Sequence, residues 1–479
     1  MSYSYFSYVL HKPACWFALV LCLLSVWSVQ AQGGISASQY QALVSLYNST
    51  GGPNWYVKDN WLSAEPVNTW YGVSVDSTGK VVVLNLSYNN LTGNLPASLS
   101  NLPLIDLQIS GNQLVRITTL PASLVSLNAD NNMISALPSL PSKLEILRIN
   151  SNQIKSLPAL PVALTVLDAS SNLLSSLPSL PARLTNLSVS TNRISSLPTL
   201  PVALTSLNIS SNRISTLPAL PANLGSLIVS SNRISSLPTL PSTLSYLNVS
   251  GNRLSVLPTL PAGLSISIVN ENRLTFEDLE PIINRFFDPG FYAPQADIGN
   301  EGIVVTAAGC SIQLSANYAG NSANNQYIWF KDSVAIDTLT TPYLILNSIN
   351  TDDAGTYTCQ VSNILVPGLV LNRKPIYVYV YGGSSSTSAR VSSPENQMEE
   401  SSLTIGPNPF VDALYVFGAH TSEQKARITI TDVQGRLVYE SSAHSLTQPI
   451  QLDKGLPSAL YVIRVSIGTK TQTFSIVKQ

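Results

Sequence analysis

Between residues 84 and 274 hydrophobic and polar positions recur in one short unit. Asn falls at 112, 132, 152, 172, 192, 212, 232, 252 and 272, a constant step of 20, and Leu-Pro pairs beginning at 137, 157, 177, 197, 217, 237 and 257 keep that step. One unit reads Leu204-Thr-Ser-Leu207-Asn-Ile209-Ser-Ser-Asn212-Arg-Ile214, then Leu217-Pro218-Ala-Leu220-Pro221. Leu207 and Ile209 alternate with Asn208, which predicts a short strand with one face buried and the other in solvent. Asn212 ends the strand. Its amide offers donors and an acceptor, so stacked Asn side chains can bond the turn and the adjacent coil. The Leu-Pro-x-Leu-Pro half forbids helix, because Pro lacks an N–H and holds its predecessor extended.

An earlier unit, Leu84-x-Leu86-x-x-Asn89-x-Leu91, brings the number to ten. The pattern resembles leucine-rich repeats. The resemblance implies a mainly β solenoid over residues 83–295, with a parallel sheet of ten strands whose two ends need caps. The N-terminal cap is expected within 32–82, with a helix over Gln39–Asn48 and Trp55, Trp61 and Trp70 behind it; it is similar to the cap of plant-type repeats without their Cys pair. The C-terminal cap is expected over Leu274–Phe291, with Phe276, Phe286 and Phe287 covering the last coil. Ser267 stands there where other units have Leu.

The ends of the chain read differently. His11 and Lys12 precede an apolar run from Ala14 to Val29, and Val29-Gln30-Ala31 suits a signal peptidase, so residues 1–31 read as an export signal. The run is too short for a membrane span, and no other long apolar segment is present, so no transmembrane segment is expected in the mature chain. Removal of the signal takes away Cys15 and Cys22. Cys310 and Cys359 remain, and one pair in an exported protein reads as one disulfide.

Residues 296–381 carry Cys310, Trp329 and Asp353-Ala-Gly355-Thr-Tyr357-Thr-Cys359. A Tyr two residues before a Cys, after Asp and Gly, resembles the tyrosine corner of the immunoglobulin fold. The resemblance implies a β-sandwich in which the disulfide joins the sheets and Trp329 and Tyr357 belong to the core. Cys310 and Trp329 are widely spaced, which predicts a polar loop over Tyr318–Gln326. Residues 382–402, rich in Gly, Ser and Glu, read as a flexible linker.

Residues 403–479 alternate like strands at 414–417, 427–430, 437–439, 461–465 and 474–477. Pro407-Asn408-Pro409-Phe410, Asp432-x-x-Gly435-Arg436, Leu456-Pro457 before Tyr461, and Ile476-Val477-Lys478 resemble the C-terminal sorting domain of the type IX secretion system of Bacteroidota. The resemblance implies a small β-sandwich that engages the secretion machinery, with the protein secreted or attached to the outer cell surface.

Composition removes other functions. Charged residues are 11% of the 479 and the net charge is −1, so no nucleic-acid partner is expected. His11, His420 and His444 all lie outside the repeat and immunoglobulin-like parts, so a Ser-His-Asp or Cys-His site cannot be built there. No zinc spacing or phosphate loop is present, and no cofactor is implied. The Leu-Pro-x-Leu-Pro unit also resembles the repeats of bacterial effector ubiquitin ligases. Those need a catalytic Cys in a C-terminal helical domain, and no Cys follows Cys359.

Binding is what remains. The concave face of the sheet should carry Asn128, Asp130, Arg148, Asn150, Asp168, Ser188, Asn208, Tyr246 and Asn248, with Arg148 and Tyr246 as anchors. Arg193, Arg213, Arg233, Arg253 and Arg273 follow the ladder Asn in successive coils, and no acidic residue lies between Asp168 and Glu271. That column reads as an exposed position copied with each duplication, or as a site for an anion. The sequence points to a non-enzymatic exported protein that binds a protein or polysaccharide, with a structural envelope or matrix role as the alternative.

Overall fold

The computed structural model describes residues 35–316, 322–381 and the strands of the tail between 404 and 477. The expected export signal (1–31), the linker (382–402) and the Pro407-Asn408-Pro409 motif lie outside the described residues.

The repeats stack into one sheet of eleven strands. Val73–Val75 pairs antiparallel with Val81–Asn85, and from there ten strands run parallel and in register, ending at Ile266–Ile268. Leu107, Leu127, Leu147 and their equivalents point inward and are buried. In the 20-residue coils the Leu-Pro half carries no helix, as its prolines dictate, and only the longer first coil has a 3-10 turn, Ala97–Asn101.

The Asn ladder ties each coil to the one before. Asn172 Nδ2 donates to the carbonyls of Ile149, Ala169 and Ser170 at 2.9, 3.2 and 3.0 Å, while its Oδ1 accepts from the Ile154 N–H at 2.9 Å. One side chain thus satisfies four backbone groups on two coils, and the pattern repeats through Asn272.

Both ends are closed. The helix Ala37–Ser49, capped by Ser36, buries Ala42, Leu43 and Leu46. Gln39 Oε1 accepts from Val81 N–H at 2.8 Å, which occupies an otherwise bare strand group. Trp55 meets Trp61 edge to face, and Trp61 tilts onto Trp70 and stacks on Tyr47. Tyr47 and Tyr40 meet Trp55 and Trp70 edge to face, and each indole N–H donates to a backbone carbonyl. At the other end Gln295 acts as a further rung. Its Oε1 accepts from the Asn272 and Leu274 N–H groups at 3.1 Å, and its Nε2 donates to the Val269 carbonyl at 3.0 Å. Phe276 is buried and Phe286 packs on Tyr292, but Phe287 is 80% exposed and covers nothing. Hydrogen bonding by Gln295 does part of what the sequence assigned to aromatic cover.

The immunoglobulin-like segment has a five-stranded sheet, in the order Gly302–Ala307, Val370–Tyr381, Gly355–Asn363, Asn325–Lys331, Val334–Leu339, and a facing pair, Ile312–Ser315 with Tyr343–Leu346. Trp329 and Tyr357 are buried, as expected of its core. The Tyr357 hydroxyl donates to the Asp353 carbonyl at 2.8 Å, closing the tyrosine corner. Burial, with Asp353 and Asp332 nearby, pushes this phenol up to about 12.

The expected disulfide is not formed. Cys359 is buried, whereas Cys310 is exposed and both are free thiols. The reason is where the strand begins. Cys310 lies before the strand Ile312–Ser315, in a turn whose backbone is held by Ile349. Strand alternation then turns Leu314 and Ala316 inward, both fully buried. Ala316, thirteen residues before Trp329, takes the inward place expected of the Cys. With that spacing no insertion is needed. Of the expected loop, 318–321 lies outside the described residues, and Asn325 and Gln326 already belong to a strand.

Burial pushes the Cys359 thiol up to about 12, offset in part by Arg373. Thiolate is the reactive form. Alkylation of the native exported protein at pH 8 should therefore label Cys310 alone, with Cys359 labelled only after unfolding. Mass spectrometry that finds neither thiol labelled after unfolding would restore the bridge.

The tail holds a four-stranded sheet, Leu437–Ser445, Lys425–Asp432, Leu460–Ile467 and Lys470–Val477, and a three-stranded one, Thr404–Gly406, Ala413–Phe417 and Ile450–Gln451. The five expected strands all fall within these. Leu414, Ile428, Ile430, Ile450, Ile463 and Ile476 are among the residues of its own core.

Candidate functional site

The repeat strands present two outward rows to solvent, at their first and third positions. In the third row Asn128, Arg148 and Asp168 are direct neighbours. Asp130 lies two residues beyond Asn128 and accepts from Asn150 N–H at 2.7 Å. Burial holds the Asp130 carboxyl above its usual range; Asp168 adds to the rise, while the Asn150 bond and Arg148 oppose it. Asp106 accepts from the Gln108 amide at 2.7 Å. Asp130, Arg148 and Asp168 form one charged patch with two carboxylates and one guanidinium.

Five strands on, the chemistry changes. Tyr246 pairs with Ile266, and Asn248 stands between Ile228 and Ile268. Tyr246 and the three isoleucines are all half-buried. The sequence reading placed Tyr246 and Asn248 here among mostly polar residues, and it missed the isoleucines. Their signal was present: aliphatic residues at outward strand positions. The last strand even reverses the pattern of the others, with Ser267 buried in the core and Ile266 and Ile268 outward. The buried Ser267 hydroxyl has no hydrogen-bond partner.

Asn208 and Asn248 are less available than the sequence suggested. Each Oδ1 accepts from the N–H and hydroxyl of a Ser two residues on, at 3.1 and 2.8 Å. They shape the turn after the strand. Arg148 and Tyr246 are five strand spacings apart, about 24 Å, so the structure does not bring the two anchors together.

The five arginines are exposed and stacked coil on coil. The Arg213, Arg233, Arg253 and Arg273 N–H groups donate to Ile194, Ile214, Ile234 and Leu254 at 2.8–2.9 Å, and Arg193 bonds Leu174 in the same way. The ion pairs among the described residues, Arg427–Glu440 and Arg436–Asp432, involve none of them. A cleft of about 420 Å³, lined by Arg253, Glu271, Arg273 and Gln295 among others, ends the column.

In the tail, Asp432 organises a turn. It accepts from the Gln434 and Arg436 N–H groups at 2.9 Å and pairs with Arg436 Nε at 2.6 Å. The backbone and side-chain bonds from Arg436 hold its carboxyl below the usual range. Gly435 sits at φ +82 with open space where a Cβ would be, so conformation alone calls for glycine. Tyr461 donates to the Pro457 carbonyl at 2.9 Å.

Among the described residues no helix is long and apolar enough to cross a membrane, and no group of His, Cys, Asp and Glu is arranged to hold a metal.

Comparison with known proteins agrees with these parts. The immunoglobulin domain model matches residues 295–363, the secretion system C-terminal sorting domain model matches 404–479, and the leucine rich repeat model matches 80–102 and 203–224. Comparison with curated proteins gives no match. Among solved structures, YopM from Yersinia enterocolitica WA-314 is 44% identical over 41% of this chain and 43% of its own, with a TM-score of 0.39. The leucine-rich effector YopM from Yersinia pestis is 33% identical over 40% and 61%, with a TM-score of 0.36. A Shigella effector repeat domain is 32% identical over 36% and 79%, with a TM-score of 0.30. The chain thus spans less than two thirds of either YopM, and scores of this size carry no functional argument. Repeats and immunoglobulin domains suit protein interaction and are typical of non-enzymatic proteins, and the sorting tail indicates export to the surface or medium. The chain is a leucine-rich-repeat protein with an immunoglobulin-like domain and a type IX secretion C-terminal sorting domain.

Proposed function

We propose that this is an exported, non-enzymatic binding protein that takes its ligand, a segment of another protein, on the solvent face of the repeat sheet. The observation that carries the reading is the reversed last strand. Turning Ile266 and Ile268 outward while burying Ser267 forfeits core burial and leaves a buried hydroxyl unpartnered, a cost of about 1–3 kcal/mol for the hydroxyl alone. Departures from local folding rules concentrate at functional sites. With Tyr246 and Ile228 the pair makes an apolar anchor of the kind that dominates protein interfaces. The patch around Asp130 and Asp168, net negative despite Arg148, favours a basic stretch on the same ligand about 24 Å away.

The test is capture from surface extracts by the full exported chain and by a Tyr246→Ala/Ile266→Asp variant. Both positions face solvent, so the variant should fold. Its retention of the captured partner is expected to fall at least tenfold, since losing a buried aromatic anchor typically costs ~2 kcal/mol. Equal capture by the two would place the site elsewhere.

A further inference from the structure

We propose a second binding site, separate from the sheet face: the arginine column is a stripe that holds one strand of an acidic polysaccharide. Arg193, Arg213, Arg233, Arg253 and Arg273 follow successive rungs of the Asn ladder, and their backbones are fixed coil to coil by the bonds from each arginine N–H. The spacing is therefore that of the sheet, about 4.8 Å per step and about 19 Å over the five.

Like charges at this spacing repel one another. Among the described residues no carboxylate pairs with any of the five, and only Glu271, in the cleft with Arg253 and Arg273, stands beside the column. No carboxylate occurs from Asp168 to Glu271, and the ion pairs among the described residues leave the column out. A polyanion lying along it would neutralise all five at once.

The surroundings select the class of polyanion. Exposed hydroxyls flank the guanidinium groups, with Thr191, Ser211 and Ser231 two residues before and Ser215, Ser235 and Ser255 two residues after. Short hydroxyl side chains leave the arginines standing clear and offer hydrogen bonds to sugar hydroxyls. Single-stranded nucleic acid would instead call for aromatic platforms, and no aromatic residue lies within two positions of any of the five. The cleft beside Arg253 and Arg273 is within the size range of small-ligand pockets and gives the stripe a recessed end. Glu271, on its wall, marks where the positive surface stops.

Each exposed contact is weak, and several in register add through one chain. Binding of the full exported protein to alginate, to dextran sulfate, to neutral dextran and to a poly-dT oligonucleotide is measured across a salt series. Alginate and dextran sulfate should bind and neutral dextran should not, with affinity falling steeply as salt rises. The Arg213→Gln/Arg233→Gln/Arg253→Gln variant uses the residue that already stands at 113 and 153, and an unchanged melting temperature shows that it folds. It should lose about tenfold in affinity at low salt, and its salt slope should shrink by roughly three fifths, because two contacts of five remain. An unchanged affinity and slope in the variant overturns the stripe. Preference for poly-dT over both polysaccharides overturns the assignment to sugar. Neither result bears on capture through Tyr246 and Ile266, so the two sites stand or fall separately.

Discussion

Asn172→Ala is expected to destabilise the repeat body by about 2 kcal/mol, although it removes only one polar side chain. The amide is nearly buried and serves three carbonyls and one N–H. Truncation leaves the Ile154 N–H without a partner, while the three carbonyls keep a second donor in Asn152 Nδ2, Asn192 Nδ2 and the Ser151 N–H; a buried polar group left unmade costs ~1–3 kcal/mol. The Ile154 N–H is the worst placed of the four, because a donor has one bond to make and a carbonyl has two lone pairs. Asn172→Asp keeps an acceptor for that N–H but turns a carboxylate towards three carbonyls, so it should be no better than Ala. Asn208→Ala, on the solvent face, should cost less than ~1 kcal/mol. Urea unfolding followed by circular dichroism separates the three. A mid-ladder variant as stable as the parent would show that water replaces the rung. Because each coil contacts only its neighbours, the loss should also uncouple the two halves of the stack and broaden the transition.

The same ladder explains what the sequence made legible and what it hid. A step of 20 could be read because every coil obeys one local rule, and ten parallel strands follow from counting it. What escaped were the departures from the rule. Gln295 bonds Asn272 and Leu274 from 23 and 21 residues away, the same separations that join Asn89 and Leu91 to Asn112 at the other end. The last rung was hidden by a change of residue type and could have been found by that spacing. The reversed strand at Ile266-Ser267-Ile268 was visible as a misplaced Ser, but only the register pairing puts its isoleucines beside Tyr246. Cys310 misled for another reason. A cysteine count does not say where a strand begins, and alternation faces a side chain to the partner sheet only within or beside the strand. Ala316 stands at the strand's end with the ordinary distance to Trp329; Cys310 shares its parity but lies before the strand starts, in a turn. The tail was legible in its strands and in the Asp432 turn, because a turn that needs φ > 0 leaves a glycine behind.

Removing residues 404–479 should abolish appearance of the protein at the surface or in the medium while leaving the remainder folded in the periplasm. The effect is close to all-or-none, because the segment acts as an address with a core of its own. Its buried residues, from Leu414 to Ile476, form a cluster drawn from the tail. The matching family model spans this same stretch. Fractionation reads the location, and protease resistance of the periplasmic fragment reads its fold. A finer variant separates the address from mere foldedness. Arg436→Ala removes the pair with Asp432 at an exposed turn, where a single ion pair contributes under ~1 kcal/mol. The tail should then keep its sheets. If export nevertheless falls, the secretion machinery reads the Arg436 side chain itself. If it does not, Arg436 serves only the turn. Surface display of the chain lacking 404–479 at normal levels would remove the tail from the export route altogether.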